Sequence, residues 1–141
     1  MEEALKDKRI LIVDDEPDIL ETLKELLDMC IIDTAPNFET ARKFLKNGTY
    51  DAAILDIMGV DGYGLLELTS KKGIPSIMLT AHAMTPQDLE RSYQGGAASF
   101  LPKEKIGEVD LFMTDVLEAH EKGKSLWWRW FDRLADYFEK K

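Results

Sequence analysis

The chain has one cysteine, two histidines and no long uninterrupted apolar run. With no second thiol, Cys30 cannot form an internal disulfide, and its place in an apolar stretch reads as a buried thiol in a reducing compartment. Charges break every candidate for the ~18 apolar residues that a membrane span needs, including the Trp-rich C-terminus at Arg129. The first nine residues alternate charges and lack the apolar core of an export signal. A cytoplasmic protein without a membrane span is therefore expected. Positive charge is also in deficit, with 18 Lys and Arg against 27 Asp and Glu and a net charge of −9. That balance opposes direct binding to nucleic acid, which depends on basic side chains neutralising phosphates.

What is present suits a folded protein. At 141 residues, 45% hydrophobic and 32% charged, the chain is long enough for one domain with a real core plus an appendage. Strand and helix signals alternate. Ile10 to Val13 is a short apolar run ending in Asp14 and Asp15, the pattern of a strand buried on both faces. Pro17 then suits a first helical turn, with Ile19, Leu20, Leu23, Leu26 and Leu27 at helical spacing. Ile31 to Ala35 reads as a second strand, and Asn37 as the cap of a helix that buries Phe38, Ala41, Phe44 and Leu45 before Asn47-Gly48.

The pattern repeats three times more. Ala52 to Leu55 ends in acid at Asp56, and a loop from Gly59 to Gly62 leads to a helix through Leu65, Leu66 and Leu68. Ile77 to Leu79 ends at Thr80, Thr85-Pro86 opens a helix, and Gly95-Gly96 closes it. Ala98 to Leu101 is a weak fifth strand, followed by a helix from Ile106 to His120 with Val109, Phe112, Met113, Val116 and Leu117 inward. Five β–α units imply an α/β fold: a doubly wound parallel sheet with helices on both faces and right-handed crossovers. Ligands of such sheets bind beyond the carboxyl ends of the strands. Asp14, Asp15, Asp56, Thr80 and Lys103 all fall at that rim.

Three carboxylates drawn together repel unless a cation sits among them. Oxygen ligands without nearby His or paired Cys select Mg²⁺, or Mn²⁺, over Zn²⁺, and Mg²⁺ characteristically shares phosphate oxygens. A carboxylate can act as nucleophile to form an acyl phosphate, with the Lys103 ammonium and Thr80 hydroxyl offsetting charge on the transferring oxygens. Taken singly, each residue has an ordinary reading: a turn or cap for Asp14-Asp15, a loop acid, a strand-end threonine, a solvated lysine. Their joint placement, each strand supplying its part in chain order, is what argues for a site.

The runs Ile-Leu-Ile-Val-Asp-Asp-Glu-Pro (10–17), Ala-Ile-Leu-Asp-Ile-Met (53–58), Met-Leu-Thr-Ala (78–81) and Phe-Leu-Pro-Lys (100–103) together resemble the receiver domains of two-component response regulators. The resemblance covers about residues 8–121. It implies a flavodoxin-like sheet of strand order 2-1-3-4-5 and a non-enzymatic regulatory protein, phosphorylated on Asp56 by a sensor histidine kinase or phosphotransfer protein. It implies that Asp14, Asp15, Asp56 and the Met58 backbone carbonyl hold the metal, with Asp15 the more direct of the acid pair. Thr80 becomes the switch hydroxyl, Lys103 the phosphate-pairing lysine and Phe100 the aromatic switch. The side chains two positions beyond Asp56 and Thr80, Met58 and His82, would flank the path of attacking water. Two features depart from the family pattern. Only Ile57 to Val60 separate Asp56 from Asp61-Gly62, a shortened loop, and Pro102 precedes Lys103 where a proline normally follows.

Residues 1–123 are thus expected to form the receiver and 124–141 an appendage. In the appendage Trp127, Trp130, Phe131, Leu134, Tyr137 and Phe138 share one face of a C-terminal amphipathic helix, opposite Arg129, Asp132, Arg133, Asp136 and Lys140. So much aromatic surface calls for a cover: the chain's own receiver, a homodimer or other downstream protein, or a membrane surface. The mixed-sign polar face argues against the membrane. The function expected is a phosphorylation-gated interaction module. Two readings compete with it: a degenerate receiver acting as a constitutive scaffold, and a Mg²⁺-dependent phosphohydrolase using Asp56 as nucleophile. The second would want an acid where Met58 stands.

Overall fold

Continuous apolar runs become the centre of the sheet. The computed structural model describes residues 2–81 and 85–123. Five strands, β1 (Arg9–Val13), β2 (Ile31–Ala35), β3 (Ala52–Asp56), β4 (Ser76–Thr80) and β5 (Ser99–Pro102), pair in parallel in the order β2-β1-β3-β4-β5. Every residue of β3 and β4 is buried, as a strand covered on both faces requires. β2, at one edge, is only partly covered, and Ile31 is 49% exposed.

The helices are α1 (Glu2–Leu5), α2 (Pro17–Leu26), α3 (Phe38–Asn47), α4 (Gly62–Lys71), α5 (Pro86–Gln94) and α6 (Val109–Lys122). Their starts follow capping chemistry. Asn37 Oδ1 accepts from the Thr40 amide at 2.9 Å and Thr85 Oγ1 from the Asp88 amide at 3.0 Å, each satisfying an otherwise orphaned donor. Pro17 and Pro86 occupy first-turn positions, where a missing N–H costs nothing.

Two details differ from expectation, and one was not anticipated. The charged N-terminus folds: α1 carries Leu5 into the core with no exposure, and Asp7, at φ 61°, turns the chain into β1. Helix α6 begins at Val109 rather than Ile106, because Lys103–Glu108 form a 3-10 segment whose Lys105 leaves helical geometry. Gly107 sits in that segment, and glycine weakens a helical start. Cys30 is half-buried rather than buried. Its thiol donates to the Leu5 carbonyl at 3.3 Å, and burial, with Asp28 and Asp51 adding to it, pushes its pKa up to about 11. The appendage, residues 124–141, lies outside the described residues.

The parallel topology brings the ends of β1, β3, β4 and β5 to one rim. The shortened loop after β3 keeps that rim tight: Asp61 takes a left-handed φ of 53° while its carboxylate caps α4 through the Gly64 amide at 3.2 Å. At Gly62 a Cβ would overlap the carbonyl oxygen of Asp56, so α4 can start this close to the strand only on a glycine. Gly62→Ala is expected to destabilise the domain by roughly 1–3 kcal/mol, the range of an overpacked core site. Gly107→Ala, where a Cβ meets nothing, serves as the control in urea unfolding. Equal midpoints for the two variants would contradict this.

Candidate functional site

β1 ends by running Val13 into Asp14 and Asp15, and β3 ends on Asp56 beside it. Asp14 is fully buried, Asp56 is 3% exposed and Asp15 is exposed. Carboxylate oxygens of all three lie within 4.8 Å of one another. From β5, one residue past Pro102, Lys103 reaches into this cluster. Its Nζ stands 2.9 Å from Asp14 Oδ2, 3.0 Å from Glu16 Oε2 and 3.6 Å from Asp56 Oδ1. Thr80, 7% exposed, closes β4 in register with Pro102.

The placement of Lys103 after the proline leaves it able to reach the acids, and the described peptide bonds are all trans. Phe100 is fully buried in β5. Met58 sits in the turn leaving β3 and is 68% exposed, and His82 lies outside the described residues. Glu16 was not among the expected site residues. Its signal in the sequence was only its adjacency to the Asp14-Asp15 pair. Gly59 is a second unforeseen contributor: it has a φ of 82°, and a Cβ there would press on the Asp15 carboxylate. The short loop therefore packs against the acid pair through glycine backbone.

Burial sets the electrostatics. Asp56 is pushed up to about 7 by loss of water, then by the neighbouring charge of Asp14, with Lys103 only partly offsetting them. Burial likewise raises Asp14, against the pull of the Glu16 amide, which donates to Asp14 Oδ1 at 2.8 Å. Burial works against the Lys103 ammonium, yet its pairing with Asp14 and Glu16 wins and lifts its pKa above the ordinary lysine value. Asp14 Oδ2 is sealed from solvent and has Lys103 beside it as an ion pair without a completed hydrogen bond. A buried, under-coordinated carboxylate oxygen next to two further carboxylates is an all-oxygen donor set. It fits a hard divalent cation.

A twisted parallel sheet with acids and a lysine at the carboxyl ends of its strands defines a doubly wound α/β protein with its site at the sheet rim. The model of the response regulator receiver domain matches residues 10–114, and the chain belongs to that family. It is 39% identical over 98 residues to the heme response regulator HssR of Staphylococcus aureus (strain Newman), a match covering 66% of this chain and 43% of that protein. The chain thus spans less than half the length of the curated relatives it matches. Among solved structures, a CheY-like receiver domain protein from Methanospirillum hungatei JF-1 aligns with a TM-score of 0.75 at 26% identity, over 84% of this chain and 99% of that one. A second solved structure, from Chloroflexus aurantiacus J-10-fl, aligns with a TM-score of 0.69 at 28% identity, over 80% of this chain and 99% of that one. Family membership places the chain among the regulatory phosphoacceptors of two-component signalling.

The raised Asp56 has a thermodynamic consequence. Between the ordinary carboxylate value of 3.8 and about 7, the folded state holds a proton that the unfolded chain has released, so this group makes stability fall as pH rises through that window. Melting temperature should drop between about pH 5 and about pH 8. In Asp56→Asn the drop should be shallower, and the variant should melt about 3 °C or more above wild type at the upper pH. Mg²⁺ should stabilise wild type more at the upper pH than at the lower. Parallel melting curves for wild type and variant would contradict the assignment.

Proposed function

We propose that this receiver is a Mg²⁺-dependent phosphorylation switch in which Asp56 accepts a phosphoryl group from a sensor histidine kinase or phosphotransfer protein. The observation that supports it most is the buried Asp56 carboxylate at the end of the central strand, with two further carboxylates within 4.8 Å and the Lys103 ammonium at 3.6 Å. An Asp56 oxygen attacks the phosphorus of the donor's phosphohistidine. The P–N bond breaks, its electron pair leaves on the donor imidazole, and an acyl phosphate remains on Asp56. Lys103 and the Thr80 hydroxyl stabilise charge on the transferring oxygens. Asp14, Asp15, Asp56 and the Met58 carbonyl would hold Mg²⁺, or Mn²⁺, which when bound neutralises phosphoryl charge.

The signal leaves through protein contacts. Phe100 lies on β5, the strand that leads directly into Lys103, so a shift of that lysine and of Thr80 bears on the packing of β5 against α6. Residues 1–123 make up the receiver in this reading, and residues 124–141 supply an assembly or partner-binding surface by virtue of their aromatic face. The lone thiol supports a reducing, cytoplasmic setting. The phosphohydrolase alternative finds no support at position 58, where an exposed Met stands in place of an acid.

Incubation with a small acyl phosphate and Mg²⁺ should add one phosphoryl group by intact-protein mass spectrometry. The adduct should be absent with chelator and absent in Asp56→Asn. Equal labelling of that variant would overturn the assignment. Truncation after Gly123 should leave labelling intact and change the light-scattering mass or its response to a phosphoryl mimic. An unchanged mass and response would remove the appendage from the output.

A further inference from the structure

Glu16 stands at the N-cap of α2, a position where Ser, Thr, Asp or Asn would bond the helix's free amides. Its side chain makes no such bond. It turns instead to Lys103, 87 residues away in sequence, accepting from Nζ at 3.0 Å, while its own backbone amide donates to Asp14 Oδ1 at 2.8 Å. One residue thus grips the lysine with its side chain and the buried acid with its main chain.

The distances rank the grips on Lys103. Asp14 at 2.9 Å and Glu16 at 3.0 Å are close contacts, whereas Asp56 at 3.6 Å is beyond hydrogen-bonding range. In the unphosphorylated protein the ammonium therefore lies closer to the β1 loop than to the acceptor, with which it keeps only the longer ion pair. To neutralise a phosphoryl group arriving on Asp56 it must move the other way. Of its two close partners, Asp14 is buried at the centre of the acid cluster, while the Glu16 side chain is 56% exposed and belongs to the rim rather than the cluster.

We infer that Glu16 is a positioning residue that clasps Lys103 in the resting state and competes with the incoming phosphoryl group for it. This rests on the reading of Asp56 as phosphoacceptor. Glu16 acts through the lysine and sets how readily the switch is charged: a stronger clasp slows phosphorylation and a weaker one speeds it. The position also makes the clasp removable without emptying the cluster, since the exposed partner has water to replace the lysine.

The test compares full-length wild type, Glu16→Gln, Asp18→Asn and Asp56→Asn, labelled by a small acyl phosphate with Mg²⁺ and followed by intact-protein mass spectrometry. Glu16→Gln keeps the shape and loses the charge. Asp18→Asn removes the same charge from the first turn of the same helix and controls for bulk repulsion of an anionic donor. Glu16→Gln should label about two- to fivefold faster than wild type, the range of an ion pair with one exposed partner, and Asp18→Asn should match wild type. In the unlabelled protein, the NMR signal of the Lys103 ε-methylene should move in Glu16→Gln and stay in place in Asp18→Asn. A Glu16→Gln rate equal to or below wild type overturns the clasp. So does equal acceleration by Asp18→Asn, which would trace the effect to net charge. Labelling of Asp56→Asn at the wild-type rate would instead overturn the phosphoacceptor assignment itself, so the two failures are distinct.

Discussion

One ammonium holds the carboxyl ends of the sheet together. Lys103 meets carboxylates from the β1 loop and from β3 while its own backbone continues β5. Buried carboxylates without a partner are costly, and removing one member of such a set leaves the others uncompensated. The acid cluster can exist at this burial because the lysine is there, and the lysine is kept in place because three acids face it. The arrangement joins the end of β5 to the loop after β1 and crosses β4 and β3 between them.

The surroundings are built to keep this cluster compact. Parallel pairing sets Asp56 beside Leu79 and Thr80 beside Pro102, so the hydroxyl, the acids and the lysine arrive at one level. The shortened loop after β3 stays close because Gly59 and Gly62 leave no side chain where Asp15 and the Asp56 carbonyl stand. Burial, then the charge of Asp14, raises the Asp56 pKa to about 7, so gathering these carboxylates costs free energy at neutral pH. A cation or a neutralising ligand relieves it. The stored electrostatic cost is thus what gives binding at this rim its leverage on the rest of the domain.

Much of this was readable from the chain. The central strands β1, β3 and β4 were legible because strands buried on both faces are unbroken apolar runs, and each ran into a polar residue, Asp14, Asp56 or Thr80, that lies at the rim. The caps at Asn37 and Thr85 were legible because their chemistry is local. What escaped was small or non-local. Four residues of α1 carry too little periodicity to show, and Leu5 is buried through tertiary packing in which α1 meets α6. The late start of α6 depended on a 3-10 segment around Gly107. Cys30 looked interior because its neighbours are apolar, but it precedes an edge strand. The Glu16 contact could not be foreseen, since nothing near residue 16 indicates that a lysine 87 positions later folds back onto it.

The central claim is that charge arriving on Asp56 is felt through Lys103 and Thr80 by the strands behind them. Backbone NMR of the Mg²⁺-loaded protein before and after addition of beryllofluoride, a phosphoryl mimic, tests it most directly. The account predicts shifts at Asp56, Thr80, Phe100 and Lys103 that continue into α6 in wild type and vanish in Asp56→Asn. Shifts confined to the loops around Asp15 and Met58, with Thr80 and Phe100 unmoved, would contradict it.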